Sequence, residues 1–198
     1  MSHKRQKKLD HVLKQLLDSY QEHSEIELIG SVSLPAKDSI IQLVDDILVV
    51  LYPGLIRQES FNHLNLAYLA GQKLVSILER LELYIEQVLC WKISQEGDNC
   101  RENQQFGEEV EQITFSFLEY LPSLRETLAL DVEAILSGDP AAVSRREIVL
   151  AYPGLIAVSV YRIANFLHKQ NVPLIPRIMT EYIHSRTGID IHPGAEIG

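Results

Sequence analysis

Apolar residues recur near the start of the chain at Leu9, Val12, Leu13, Leu16, Leu17 and Tyr20, a stripe with the period of an amphipathic helix. The spacing predicts a helix over 4–23, interrupted by the stretch from Gly30 to Pro35. A second helix, over 36–50, carries Ile40, Ile41, Leu43, Val44, Ile47 and Leu48 on its buried side, and Pro53-Gly54 breaks or bends it. Leu74, Ile77, Leu78, Leu81, Ile85, Val88 and Leu89 form the longest clean stripe and predict a helix near 60–94. The polar stretch 95–103, which holds Gly97, reads as a loop. Phe106, Val110, Ile113, Phe117, Tyr120 and Leu121 open the next helix, with a kink or restart expected at Pro122.

Helix punctuation follows. Gly138 stands where a C-cap is expected, and Asp139-Pro140 reads as an N-cap with proline at the first helical position. Ser144 and Glu147 have capping-box spacing and open a helix expected to run to about His168. Pro173 and Pro176 mark a turn and a fresh helix to about Arg186. Tyr52-Pro53-Gly54-Leu55-Ile56 recurs as Tyr152-Pro153-Gly154-Leu155-Ile156. A duplicated helical hairpin would explain the echo, but the flanks match poorly, which favours coincidence or a shared way of breaking a helix. After Arg186 the helical period stops. Ile191 and Ile197 are six apart with Ala195 between them and Gly198 following, the spacing of a hexapeptide-repeat β-helix. One coil of such a solenoid cannot bury its face without stacked neighbours.

Composition adds mainly exclusions. The chain is 46% apolar and 23% charged, which suits a globular domain. A formal charge of −9 argues against nonspecific nucleic-acid binding. The basic run Lys4, Arg5, Lys7 and Lys8 reads as a solvated helix start. No apolar segment follows it as in a signal peptide, and no apolar run is long enough to span a membrane. Cys90 and Cys100 are too few for a disulfide framework and lack metal-ligand spacing. The expected compartment is a reducing cytoplasm. His11, His23, His63, His168 and His184 show no metal spacing with one another, so no metal site is expected.

Asp131 has a case from position alone. Leu128, Val132 and Ile135 are its i−3, i+1 and i+4 neighbours, which puts the carboxylate at the edge of an apolar stripe. Burial there is costly without a partner, and a salt bridge to an arginine such as Arg162 would give Asp131 a structural role instead of a binding one.

Thr187-Gly188, followed by Asp190-Ile191-His192-Pro193-Gly194-Ala195-Glu196-Ile197-Gly198, closely resembles the start of the β-helix in serine O-acetyltransferases. The resemblance extends back through Tyr161-Arg162-Ile163-Ala164, Asp139-Pro140-Ala141 and Asp131-Val132-Glu133-Ala134, covering roughly 128–198. It implies a mainly α fold: a helical N-terminal oligomerisation domain over 1–186, then the first residues of a left-handed parallel β-helix over 187–198. It also implies acetyl transfer from acetyl-CoA to the L-serine hydroxyl, giving O-acetylserine for cysteine synthesis, with no bound cofactor. Homo-oligomers (a trimer or dimer of trimers) and docking to the cysteine synthase that consumes the product are further implications.

A serine hydroxyl needs a base within hydrogen-bond reach, usually a histidine oriented by a carboxylate. Asp190 matches the family's orienting carboxylate, whose histidine lies about one coil further on, beyond Gly198. Asp131 matches the carboxylate that binds the serine ammonium group. His192 and Arg162 are secondary candidates, and His192 reads chiefly as structural. Two other readings stand: a non-catalytic helical oligomerisation module, or a hexapeptide acyltransferase with another acceptor. A sugar acceptor would not need Asp131.

Overall fold

The computed structural model describes residues 2–26, 33–54, 65–100 and 105–198. It divides into two compact units, Met1–Ser33 and Leu34–Gly198. The first consists of helix α1, His3–Glu22, and a single 3-10 turn, Ser24–Ile26. No residue of α1 is buried.

The second unit is built on α2 (Lys37–Leu51), α3 (Leu66–Gln95) and α4 (Phe106–Gly138), then α5 (Arg145–Ala151), α6 (Pro153–Lys169) and α7 (Ile175–Thr187). These bounds follow the expected stripes closely. The expected start of the third helix, over 60–64, lies outside the described residues, as do Leu55, Ile56 and His63. One core runs through α2, α3, α4, α6 and α7, with Ile40, Ile47, Leu81, Ile85, Phe117 and Leu124 fully enclosed. Each such side chain contributes about 1.5–3 kcal/mol through burial. A smaller cluster of Val132, Ile148 and Leu155 ties α5 to α4 and α6.

The structure departs from the expected elements at four points. First, α4 runs through Pro122 as one helix, without the restart that the proline suggested. The proline removes one backbone donor, which costs about 3 kcal/mol, but Phe117, Leu121, Leu124 and Leu128 on its flanks are buried and hold the helix in place. Second, Asp139 caps a turn, not a helix: its Oδ1 accepts the Ala141 N–H at 2.9 Å. Third, the capping box forms, with Ser144 Oγ accepting the Glu147 N–H and Glu147 Oε2 accepting the Val143 N–H, but the helix it opens stops at Ala151. Pro153 forces Tyr152 out of the helical region, to φ −85° and ψ 113°, and α5 and α6 meet at a 71° bend. Fourth, Cys90 and Cys100 form a disulfide.

Tyr52 and Tyr152 play the same part in the echoed pentapeptides. Each ends a helix, and each donates its backbone N–H to the carbonyl four residues back, at Leu48 and Ile148. Between α2 and α3 a buried charge cluster forms. Asp46, 6% exposed, accepts from Lys73 Nζ at 3.0 Å and Arg80 Nη2 at 2.6 Å. No single helix among the described residues is long and apolar enough to cross a membrane.

Candidate functional site

Helix α6 is the centre of the second unit. Ser159, Val160, Tyr161, Arg162, Ile163 and Ala164 are buried in succession, so it is enclosed on every side rather than along one stripe. Its polar side chains must therefore find partners. Ser159 Oγ lies 2.9 Å from the Tyr52 hydroxyl and also donates to the Leu155 carbonyl. The others reach the C-terminal segment.

That segment begins where α7 ends on Gly188, at the left-handed φ of +71° that a helix terminus of this kind requires. Residues 189–198 have no regular secondary structure. They lie along α6 and are held by side-chain donors. Tyr161 donates its hydroxyl to the Ala195 carbonyl at 2.5 Å. The Asn165 amide donates to the carbonyls of Pro193, at 2.7 Å, and Ala195, at 3.1 Å. Arg162 Nη2 donates to the Gly198 carbonyl at 3.0 Å. A Cβ at 194 would sit 2.9 Å from Nε2 of the exposed His168 side chain, which can turn away from it.

The same guanidinium holds Asp131. Arg162 Nε donates to Oδ2 at 3.1 Å and Nη2 to Oδ1 at 3.0 Å, a bidentate pair between α6 and α4. The Arg162 side chain is 9% exposed, against 24% for Asp131. The carboxylate therefore keeps an open edge, with lone pairs beyond the two that Arg162 uses. Arg162 thus joins the helical layer to the C-terminal segment through one side chain.

The structure brings Asp131 and Arg162 together, and neither hydrogen-bonds Asp190. Asp190 is exposed and its carboxylate makes no hydrogen bond among the described residues. His192 is exposed and makes local contacts. Its Nδ1 accepts the Gly194 N–H at 3.0 Å, and its ring meets that of His168 edge-on at 6.0 Å. No group of three or more potential metal ligands occurs among the described residues. Asn165 escaped the sequence reading. Its signal was a polar residue four places after Tyr161, on the face that Arg162 borders. A cleft of about 380 Å³ lies elsewhere, lined by Leu51, Tyr52, Arg125, Arg145 and Arg146 among others. Arg125 there donates to the Leu51 carbonyl and Arg145 pairs with Glu133. None of the expected site residues lines it.

A helical platform clamping an extended segment, with a half-open carboxylate at the junction, is the arrangement to be placed among known proteins. No family model matches the chain. The plasmid serine acetyltransferase of Synechococcus elongatus is 33% identical over 165 residues, covering 83% of this chain and 52% of that protein. The Helicobacter pylori serine acetyltransferase is 44% identical over 71 residues, 36% of this chain and 42% of that one. Among solved structures, isoform 3 of the Entamoeba histolytica serine acetyltransferase, in complex with cysteine, superposes with a TM-score of 0.59 at 27% identity. That match covers 91% of this chain and 57% of that one. The fold is thus one shared with an acetyltransferase. More specifically, the chain is similar to serine acetyltransferases, and it spans about half the length of the first of these relatives.

Proposed function

We propose that the chain is the helical part of a serine O-acetyltransferase, which moves an acetyl group from acetyl-CoA to the L-serine hydroxyl. The observation that carries this reading is the Asp131–Arg162 pair at the foot of the C-terminal segment. Asp131 is oriented by two hydrogen bonds yet keeps an open edge, as a carboxylate that receives a substrate ammonium group must.

In the reaction, the serine oxygen attacks the acetyl carbonyl carbon while a histidine takes the hydroxyl proton. The CoA sulfur then leaves, and that proton is returned to it. Asp131 binds the ammonium and fixes the hydroxyl relative to the thioester. Asp190 orients the base, which belongs to sequence following Gly198 in such enzymes. Residues 187–198 form the first turn of a left-handed β-helix over that sequence. The assembly is a homo-oligomer, a trimer or dimer of trimers, and the cysteine synthase that takes up O-acetylserine is its partner. No bound cofactor is required, because acetyl-CoA enters as a co-substrate.

The test joins this chain to the remaining C-terminal part of the Synechococcus plasmid relative and follows thioester loss from acetyl-CoA. The chimera turns over with L-serine and discriminates against acceptors without an α-ammonium group. In it, Asp131→Ala raises the serine KM strongly at unchanged melting temperature. A folded chimera whose serine KM ignores Asp131→Ala would refute the assigned role.

A further inference from the structure

We propose that the cleft beside the two helix breaks binds a small organic anion, a carboxylate or phosphate group carried on a compact apolar body. It shares no residue with the Asp131–Arg162 pair, so it stands whether or not acetyl transfer does.

The walls of the cleft follow from the echoed pentapeptides. Tyr52 ends α2 and Tyr152 ends α5, and both pack against the cluster of Val132, Ile148 and Leu155. A hollow of about 380 Å³ remains between residues 51–54, Arg125 of α4 and one face of α5. That volume falls in the range of small-molecule sites, about 300–1,000 Å³. Helix geometry orders the α5 face. Arg145 and Arg146 each stand four residues before an apolar side chain, Val149 and Leu150, and all four line the hollow. The face therefore has a cationic part and an apolar part about 6 Å apart along the helix.

Three guanidinium groups line the hollow and no carboxylate does, in a chain whose formal charge is −9. A concave wall carrying one sign of charge concentrates the opposite ion. The donors are also incompletely used. Arg125 gives one N–H to the Leu51 carbonyl, out of the five that a guanidinium carries. Arg145 gives two to Glu133, which does not line the hollow. Arg146 makes no hydrogen bond or ion pair among the described residues. Leu150 is 68% exposed and offers apolar surface that a bound body would cover.

These features choose the ligand. A guanidinium fork matches the oxygens of a carboxylate or phosphate, and the apolar part of the wall favours an aromatic or aliphatic body beside them. An inorganic anion alone leaves that part uncovered, and the overall charge disfavours a nucleic acid.

Isothermal calorimetry tests the site, with phenyl phosphate, inorganic phosphate and benzyl alcohol titrated separately into the chain at low ionic strength. Phenyl phosphate saturates at one per chain. Inorganic phosphate and benzyl alcohol bind at least about tenfold more weakly, since each keeps only one half of the ligand. Arg146→Gln weakens phenyl phosphate about tenfold, and Leu150→Ser weakens it about threefold. Both side chains are exposed, so the circular dichroism melts of these variants match the wild type. No saturable heat from phenyl phosphate overturns the proposal, as does binding that either variant leaves unchanged or that inorganic phosphate equals. Retention on phosphatidic acid vesicles without binding of free phenyl phosphate overturns it too, because the head group would then be read on a lipid surface.

Discussion

Replacing Arg162 with Met removes the guanidinium while keeping much of the packing of its stem. Three hydrogen bonds disappear: those to Asp131 Oδ2 and Oδ1 and that to the Gly198 carbonyl. Breaking a fully buried ion pair from one side costs about 3–5 kcal/mol, because a charge is left without a partner. Asp131 is 24% exposed, so the orphaned carboxylate regains some water. The expected cost therefore falls to about 2–3 kcal/mol. Urea unfolding followed through Trp91, the single tryptophan, reports on the unit that contains the pair. With a slope of about 2 kcal/mol per molar urea, the midpoint falls by about 1–1.5 M. Asp131→Asn costs less, because Arg162 keeps the Gly198 carbonyl and gains a neutral acceptor. Since each single change strands the other partner, the double variant is less destabilised than the sum by at least about 1 kcal/mol. Additivity within about 0.5 kcal/mol would refute the coupling, and with it the claim that Arg162 holds Asp131 in position.

Asp46 predicts an acid-side effect. Burial raises its pKa, but the hydrogen bonds and charges of Lys73 and Arg80 outweigh that and hold it below the usual carboxylate range. A lowered folded-state pKa gives stability that is present at neutral pH and lost as pH falls through that pKa. Asp46→Asn should thus cost about 2 kcal/mol at pH 7. The gap to wild type narrows below roughly pH 4, and a gap constant from pH 7 to pH 3 would contradict the account. The Cys90–Cys100 bond closes a short loop, so reduction should cost about 2–3 kcal/mol; thiol titration in denaturant should find no reactive thiol before reduction and both after it. Asn165→Ala deletes the donor shared by the Pro193 and Ala195 carbonyls. A loss of about 1 kcal/mol should speed amide exchange in 194–198 about fivefold while leaving α6 unchanged.

The α5–α6 break shows where a sequence signal was present and outweighed. Pro153 announces a non-helical Tyr152, yet the capping box at Ser144 and the continuing apolar pattern suggest one helix. Pro122 is the opposite case, since the same residue type leaves α4 intact where packing on both sides holds the helix. For the site, the pairing of Asp131 with Arg162 was legible because a carboxylate at the edge of an apolar stripe demands a cation. Asn165 was not, because its donors serve backbone carbonyls that leave no mark in the sequence.

The periodicity of apolar residues and the placing of glycine and proline were sufficient, alone, to determine the helices and most of their ends. Those are local properties, set by neighbours within a turn or two. The tertiary structure alone decided what lies across space from each helix. It enclosed α6 on every side, brought the carbonyls of 193, 195 and 198 to its polar residues, and closed Cys90 onto Cys100. A stripe states that a face must be covered, and only the packed chain states by what.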